Sequence, residues 1–195
     1  MFKFCEFILT FGYLGKIKKA PGTFGSIGGI LFWLIITKIF ALQNFTIFFQ
    51  NFLWFLIITI FTIFACQKIK FYTDNFTEKK SKNNHLSKNL DNNKNHKIDN
   101  QTIVIDEVVG QIIALQISLN AINLNYLTSN YLSSIQSLIH IIICLILFRF
   151  FDITKPWIIG IADSKINNAF GVMFDDILAG ISAGAIAWLA LTYAI

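Results

Sequence analysis

Three long stretches of the chain carry no formal charge: Ala20 to Thr37, Ile39 to Cys66, and Val108 to Phe148. A helix needs about 20 residues to cross the roughly 30 Å hydrocarbon core of a bilayer, and these runs are of that order. The last is 41 residues long. It holds two spans, with the Asn- and Ser-rich cluster Asn120 to Ser134 as the turn between them. Another apolar run follows Asp176. The pattern predicts an all-α polytopic membrane helix bundle of about five spans. These are Gly25 to Leu42, Phe52 to Gln67 (its start reaching back toward Phe45), Val108 to Leu124, Ser134 to Phe150, and Ile177 to Tyr193. Met1 to Gly15 is apolar and aromatic but has no small-residue cleavage site, so it does not read as a signal peptide. It is expected either to lie in the membrane interface or to open the bundle as its first helix.

One segment breaks the apolar pattern. Asp74 to Asn100 is rich in Asn, Lys and Ser and has almost no apolar residues. It cannot bury enough surface to offset its ordering entropy, so disorder is expected there, as an insertion in a single domain spanning residues 1–195. His85 and His96 fall inside it without a surrounding ligand pattern, so a metal role for them is not expected.

Composition agrees with the membrane class: 55% hydrophobic, 14% charged, and a mean hydropathy of +0.61. The net charge of +5 comes largely from Lys68 to Asp99, where eight lysines face four acids. An anionic lipid surface suits that balance. No aromatic–basic interleaving or motif points to nucleic acid. Cys5, Cys66 and Cys144 have no paired spacing and lie among apolar residues, as small core side chains do. Cys144 and Arg149 are too close for the five-residue loop that a cysteine phosphatase wraps around phosphate.

The charges also set the topology. Lys3, Lys16, Lys18 and Lys19 precede the first span, and the basic stretch lies between the second and third. Arg149, Asp152, Lys155, Asp163, Lys165, Asp175 and Asp176 lie between the fourth and fifth. Two hairpins and a final span then put every formal charge except Lys38 on one face, which the positive-inside tendency makes cytoplasmic.

Three clusters meet on that face. The first is the glycine-rich segment Lys19 to Gly29. A helix starting near Ser26 would offer its positive end to an anion, with Lys19, Thr23 and Ser26 as phosphate donors. The alternative is a Pro-Gly turn, a Ser26 N-cap and a small-residue packing face. The spacing is not that of a Walker loop. The second and third clusters, Asp106-Glu107 and Asp175-Asp176, each read as the start of an apolar helix. An acid there favours the helix dipole. Two adjacent acids, twice over, exceed what capping needs. Four carboxylates at one depth repel unless a cation lies between them, and hard oxygen ligands suit Mg²⁺. Asp106, Glu107, Asp175 and Asp176 are therefore the candidate metal ligands. Asp152 is a further ligand or a general base. Arg149 and Lys155 are phosphate contacts, and Arg149 is the only arginine in a chain with fifteen lysines. Trp157 reads as an interface anchor.

At these residues the sequence resembles the phosphatidylglycerophosphatase A family. The resemblance rests on Lys19 to Gly29, Ile103 to Gly110 (Ile-Val-Ile-Asp-Glu-Val-Val-Gly), Phe148 to Trp157 and Gly171 to Gly180. It implies an integral membrane, Mg²⁺-dependent helical phosphatase of a bacterial inner membrane. Such an enzyme removes the terminal phosphate of phosphatidylglycerophosphate to give phosphatidylglycerol in phospholipid biosynthesis. The resemblance assigns the acidic positions to Asp106, Glu107, Asp152, Asp175 and Asp176, and the basic ones to Arg149 and Lys155. Ile158 and Asn167-Asn168 depart from the family pattern and leave the connection from Ile158 to Phe170 unspecified. Water activated by Mg²⁺ and direct attack by an aspartate both remain open as the nucleophile. The competing class is a small transporter or channel using the carboxylates as an ion site. Apart from His140, however, the middle of each span lacks ionisable groups. A non-catalytic scaffold would leave the paired acids unexplained.

Overall fold

The computed structural model describes residues 2–43, 47–83, 102–119, 135–165 and 169–194. Among these, every regular element is helical: α1 (Phe2–Leu9), a short 3-10 turn (Leu14–Lys16), α2 (Pro21–Leu42), α3 (Ile47–Asn83), α4 (Ile105–Leu119), α5 (Ile135–Thr154), α6 (Ile158–Lys165) and α7 (Ala169–Ala194). The predicted turn Asn120 to Ser134 lies outside the described residues.

Among the described residues, four helices are long and apolar enough to cross a membrane: Pro21–Phe40 of α2, Phe48–Ile69 of α3, Ser137–Thr154 of α5 and Phe170–Tyr193 of α7. Their outward faces carry large apolar side chains, among them Leu31, Ile35, Phe55, Ile60, Ile142 and Ile146. In water such surface would cost about 25 cal/mol per Å², whereas hydrocarbon accepts it. The fold is that of a membrane protein.

The third predicted span, Val108 to Leu124, behaves differently. Twelve of the fifteen residues of α4 are buried, and α4 lies against α2, α3, α5 and α7. It is the axis of the bundle and not a lipid-facing span. Its contact with α7 is close because Gly110 and Gly180 oppose each other. A Cβ on Gly180 would overlap the Gly110 carbonyl, and one on Gly110 would come within 2.5 Å of the Phe148 ring. Small residues that let backbones approach are a recurrent means of helix association in lipid.

The N-terminal segment joins the bundle. Leu9 packs with Ala65, Ile69, Ile103 and Ile105, and its carbonyl accepts a 3.0 Å hydrogen bond from the Val104 N–H. Phe4 and Phe7 face outward. α3 runs to Asn83, so the first ten residues of the segment expected to be disordered are helical. Residues 84–101 lie outside the described residues. The connection left unspecified by sequence contains α6. α5 stops at Thr154 because Pro156 disfavours helical backbone at the residue before it. Lys155 and Trp157 take positive φ, 42° and 47°.

α2, α4 and α7 start at the same end of the molecule. The packing of Arg149 and Gly22 against Glu107 shows that α5 finishes there.

Candidate active site

Asp106 and Glu107 occupy the first turn of α4, as expected. The Asp106 carboxylate accepts the Glu107 N–H at 3.1 Å. Asp175 and Asp176 do not start their helix. α7 begins at Ala169, which puts both acids in its second turn, so neither caps it. Both are buried, and ionised groups in that setting need a partner.

Asp106, Glu107 and Asp176 each offer a carboxylate oxygen, and these oxygens lie within 4.8 Å of one another. Burial above all, then the neighbouring Glu107 charge, pushes the Asp106 carboxyl well above the usual carboxylate range. Glu107 is also raised, mainly by burial, although its hydrogen bond with Asp106 and the Arg149 charge pull the other way. The Asp106, Glu107 and Asp176 carboxyls thus face one another with nothing but acid between them. At that range two acids stay close only by sharing a proton. A cation at the same place removes that need. Three convergent hard oxygens fit Mg²⁺ in donor type.

Asp175 takes another part. Lys155 Nζ donates to its Oδ2 at 2.5 Å, and its Oδ1 accepts the Asp176 N–H at 3.1 Å. It lies outside the three-carboxylate group and ties α7 to the loop after α5. Asp152 stands between the two charge types: Arg149 Nη1 donates to it at 2.5 Å, and the Asp176 carboxyl is close enough to feel its charge.

The glycine-rich segment packs as a face of small residues, and its helix starts five residues before Ser26. Pro21 takes the first helical position, where a missing N–H costs nothing, and the Ala20 carbonyl accepts from Thr23 and Phe24. Ser26 is therefore inside α2, and its hydroxyl bonds back to the Gly22 carbonyl at 3.0 Å. It neither caps the helix nor offers a donor to a phosphate. Thr23 is half-buried in the first turn, and Lys19 is exposed just before it. Gly22 lies at the site itself. A Cβ there would come within 2.5 Å of Glu107 Oε1 and 2.9 Å of Arg149 Nη1. The first turn of α2, Glu107 and Arg149 thus meet.

Several polar atoms in this seam are buried without partners: Glu107 Oε2, Arg149 Nε, and both Oε1 and Nε2 of Gln111. Each unsatisfied group costs about 1–3 kcal/mol. Gln111 escaped the sequence reading. Its signal was available, as an amide one helical turn after Glu107 in an otherwise apolar run.

Deeper in the bundle, polar groups pair with each other. Ser118 Oγ lies 2.7 Å from His140 Nε2 and 3.0 Å from Cys144 Sγ. Trp33 Nε1 donates to Gln116, which donates to Asn51. Cys5, Cys66 and Cys144 form no disulfide.

Fold and site together define an all-α membrane protein with a buried carboxylate cluster and an arginine at one end of the bundle. The family model for phosphatidylglycerophosphatase A matches residues 7–80 and 83–191. The chain is 33% identical over 171 residues to a Haemophilus influenzae protein named phosphatidylglycerophosphatase A, covering 87% of this chain and 77% of that one. The chain belongs to the phosphatidylglycerophosphatase A family and is a phosphatase. No solved structure matches it.

Proposed function

We propose that the protein hydrolyses the terminal phosphomonoester of phosphatidylglycerophosphate, releasing phosphatidylglycerol and inorganic phosphate, as a step of phospholipid biosynthesis. Family membership supports the substrate. The observation that carries the chemistry is the convergence of Asp106, Glu107 and Asp176 beside Arg149.

Asp106, Glu107 and Asp176 would hold Mg²⁺, which when bound would neutralise phosphate charge and acidify water. Arg149 presents a planar guanidinium to the phosphoryl oxygens, held in place by Asp152 and the wall at Gly22. Lys155, anchored by Asp175, and the exposed Lys19 add positive charge at the mouth. Asp152 orients the water that attacks phosphorus. The bond from phosphorus to the glycerol oxygen breaks, and that oxygen takes a proton to become the lipid alcohol. The acyl chains stay in the bilayer while the headgroup enters from the cytoplasmic side of a bacterial inner membrane. The lysine-rich connections favour that orientation.

The test is phosphate release from phosphatidylglycerophosphate in detergent micelles by the purified chain, with Mg²⁺ and with a chelator. Release that requires Mg²⁺ is expected. Undiminished release in the chelator would remove the metal from the proposal, and no release under either condition would remove the substrate.

A further inference from the structure

We propose that Gln111 is a positioning residue for Glu107. With a divalent cation in the Asp106–Glu107–Asp176 cluster, the Gln111 carboxamide N–H donates to the Glu107 oxygen turned away from the cation. The inference rests on the cation-assisted reading above and names a further residue on which cation affinity depends.

Gln111 is wholly buried, and neither polar atom of its side chain has a partner. Glu107 Oε2 is buried and unpartnered as well. The two residues are four apart on α4, so they share a face with adjacent Cβ atoms. Helical side chains lean toward the N-terminus, which carries the Gln111 carboxamide up toward Glu107. α2 closes the seam from the side, with Gly25 against the Glu107 Cβ and Gly29 against the Gln111 Cβ. A donor and an acceptor, both denied water, thus lie one helical turn apart and are not joined.

Glu107 instead faces Asp106 and Asp176, with a carboxylate oxygen of each within 4.8 Å of the others. A cation among the three acids takes one Glu107 oxygen and leaves the other to Gln111. A hydrogen bond behind a ligand fixes its orientation and raises its basicity, and losing one commonly weakens metal binding by about 10- to 100-fold. The competing account is an amide tolerated in the core without a role. It predicts that an apolar side chain of similar size stabilises the protein and leaves cation binding alone.

Mn²⁺ binding to the detergent-solubilised full chain, read by the electron paramagnetic resonance signal of free Mn²⁺, separates these accounts without any need for turnover. Gln111→Met is expected to weaken Mn²⁺ binding at least about tenfold, while the metal-free unfolding midpoint holds or rises. Gln111→Asn, one methylene too short to reach, should show the same loss, and it decides the matter if the Met variant does not fold. In a Glu107→Gln background, Gln111→Met should cause no further loss. Wild-type Mn²⁺ affinity in Gln111→Met or Gln111→Asn overturns the positioning role and leaves the cation site standing. A wild-type chain that binds no Mn²⁺ overturns the cation reading, and this inference with it.

Discussion

The bundle has two buried polar regions, and they are built in opposite ways. Around Ser118 and His140, hydroxyl, imidazole and thiol lie within hydrogen-bonding reach of one another. Around Glu107 and Arg149, carboxylates face carboxylates, and buried polar atoms are left without partners. Both regions sit in a bundle whose outer surface is apolar, so lipid surroundings do not explain the difference. Interhelical hydrogen bonds in membranes are worth about 0.6–2 kcal/mol, and the deep region collects that stabilisation. The end of the bundle forgoes part of it: Arg149 and Lys155 pair with Asp152 and Asp175, while Asp106, Glu107 and Asp176 bring like-charged groups together. Thr37, whose buried Oγ1 has no partner, departs from this division, and nothing around it accounts for that.

Substitutions at the bundle end should give the largest effects. Asp106→Asn and Asp176→Asn each keep size and hydrogen-bonding capacity but remove a charge. Each should lower kcat at least about 100-fold, near 2.7 kcal/mol or more of transition-state stabilisation. Asn caps helices about as well as Asp, so near-normal rates in both variants would mean that the acids merely serve their helices. A smaller loss is expected from Gly22→Ala, whose methyl group would press on Glu107 and Arg149. Both neighbours are side-chain ends that can shift, so about tenfold is expected, below the 100-fold that a full 1 Å misplacement can cost. Steady-state kinetics in micelles would show it.

Asp175 tests whether adjacent acids are equivalent. It pairs with Lys155, so Asp175→Asn should retain about ten times the rate of Asp176→Asn, given that it removes no member of the three-carboxylate group. Equal losses would make both aspartates members of one cluster. The smallest catalytic effect belongs to the deep region. Ser118→Ala should leave kcat within about twofold and lower stability by roughly 1 kcal/mol, measured by unfolding in detergent. A large rate loss there would erase the contrast between the two regions.

Much of this arrangement could be read along the chain. Charge-free runs of membrane-spanning length are a one-dimensional property, because each residue in hydrocarbon contributes its own transfer cost regardless of its neighbours. The charged set was legible for the same reason: Asp106, Glu107, Arg149, Asp152 and Asp176 interrupt apolar sequence, where an ionised group requires a cause. Other features were not legible. Ser26 looked like a cap because serine is favoured there, yet Pro21 starts the helix earlier. Asp175 and Asp176 looked alike because they are neighbours, but successive helical positions point about 100° apart. One therefore turns to Lys155 and the other to the cluster.

The sequence by itself determined the class of the protein, its helical spans, its family and the list of charged residues, since each follows from the identity and spacing of residues on one strand of chain. Tertiary structure decided that α4 is the enclosed axis, that Gly22 walls the site, that Asp175 is spent on Lys155, and that Gln111 stands unpartnered beneath Glu107. Those outcomes depend on which helix faces meet, and facing is set by packing among segments far apart in the chain.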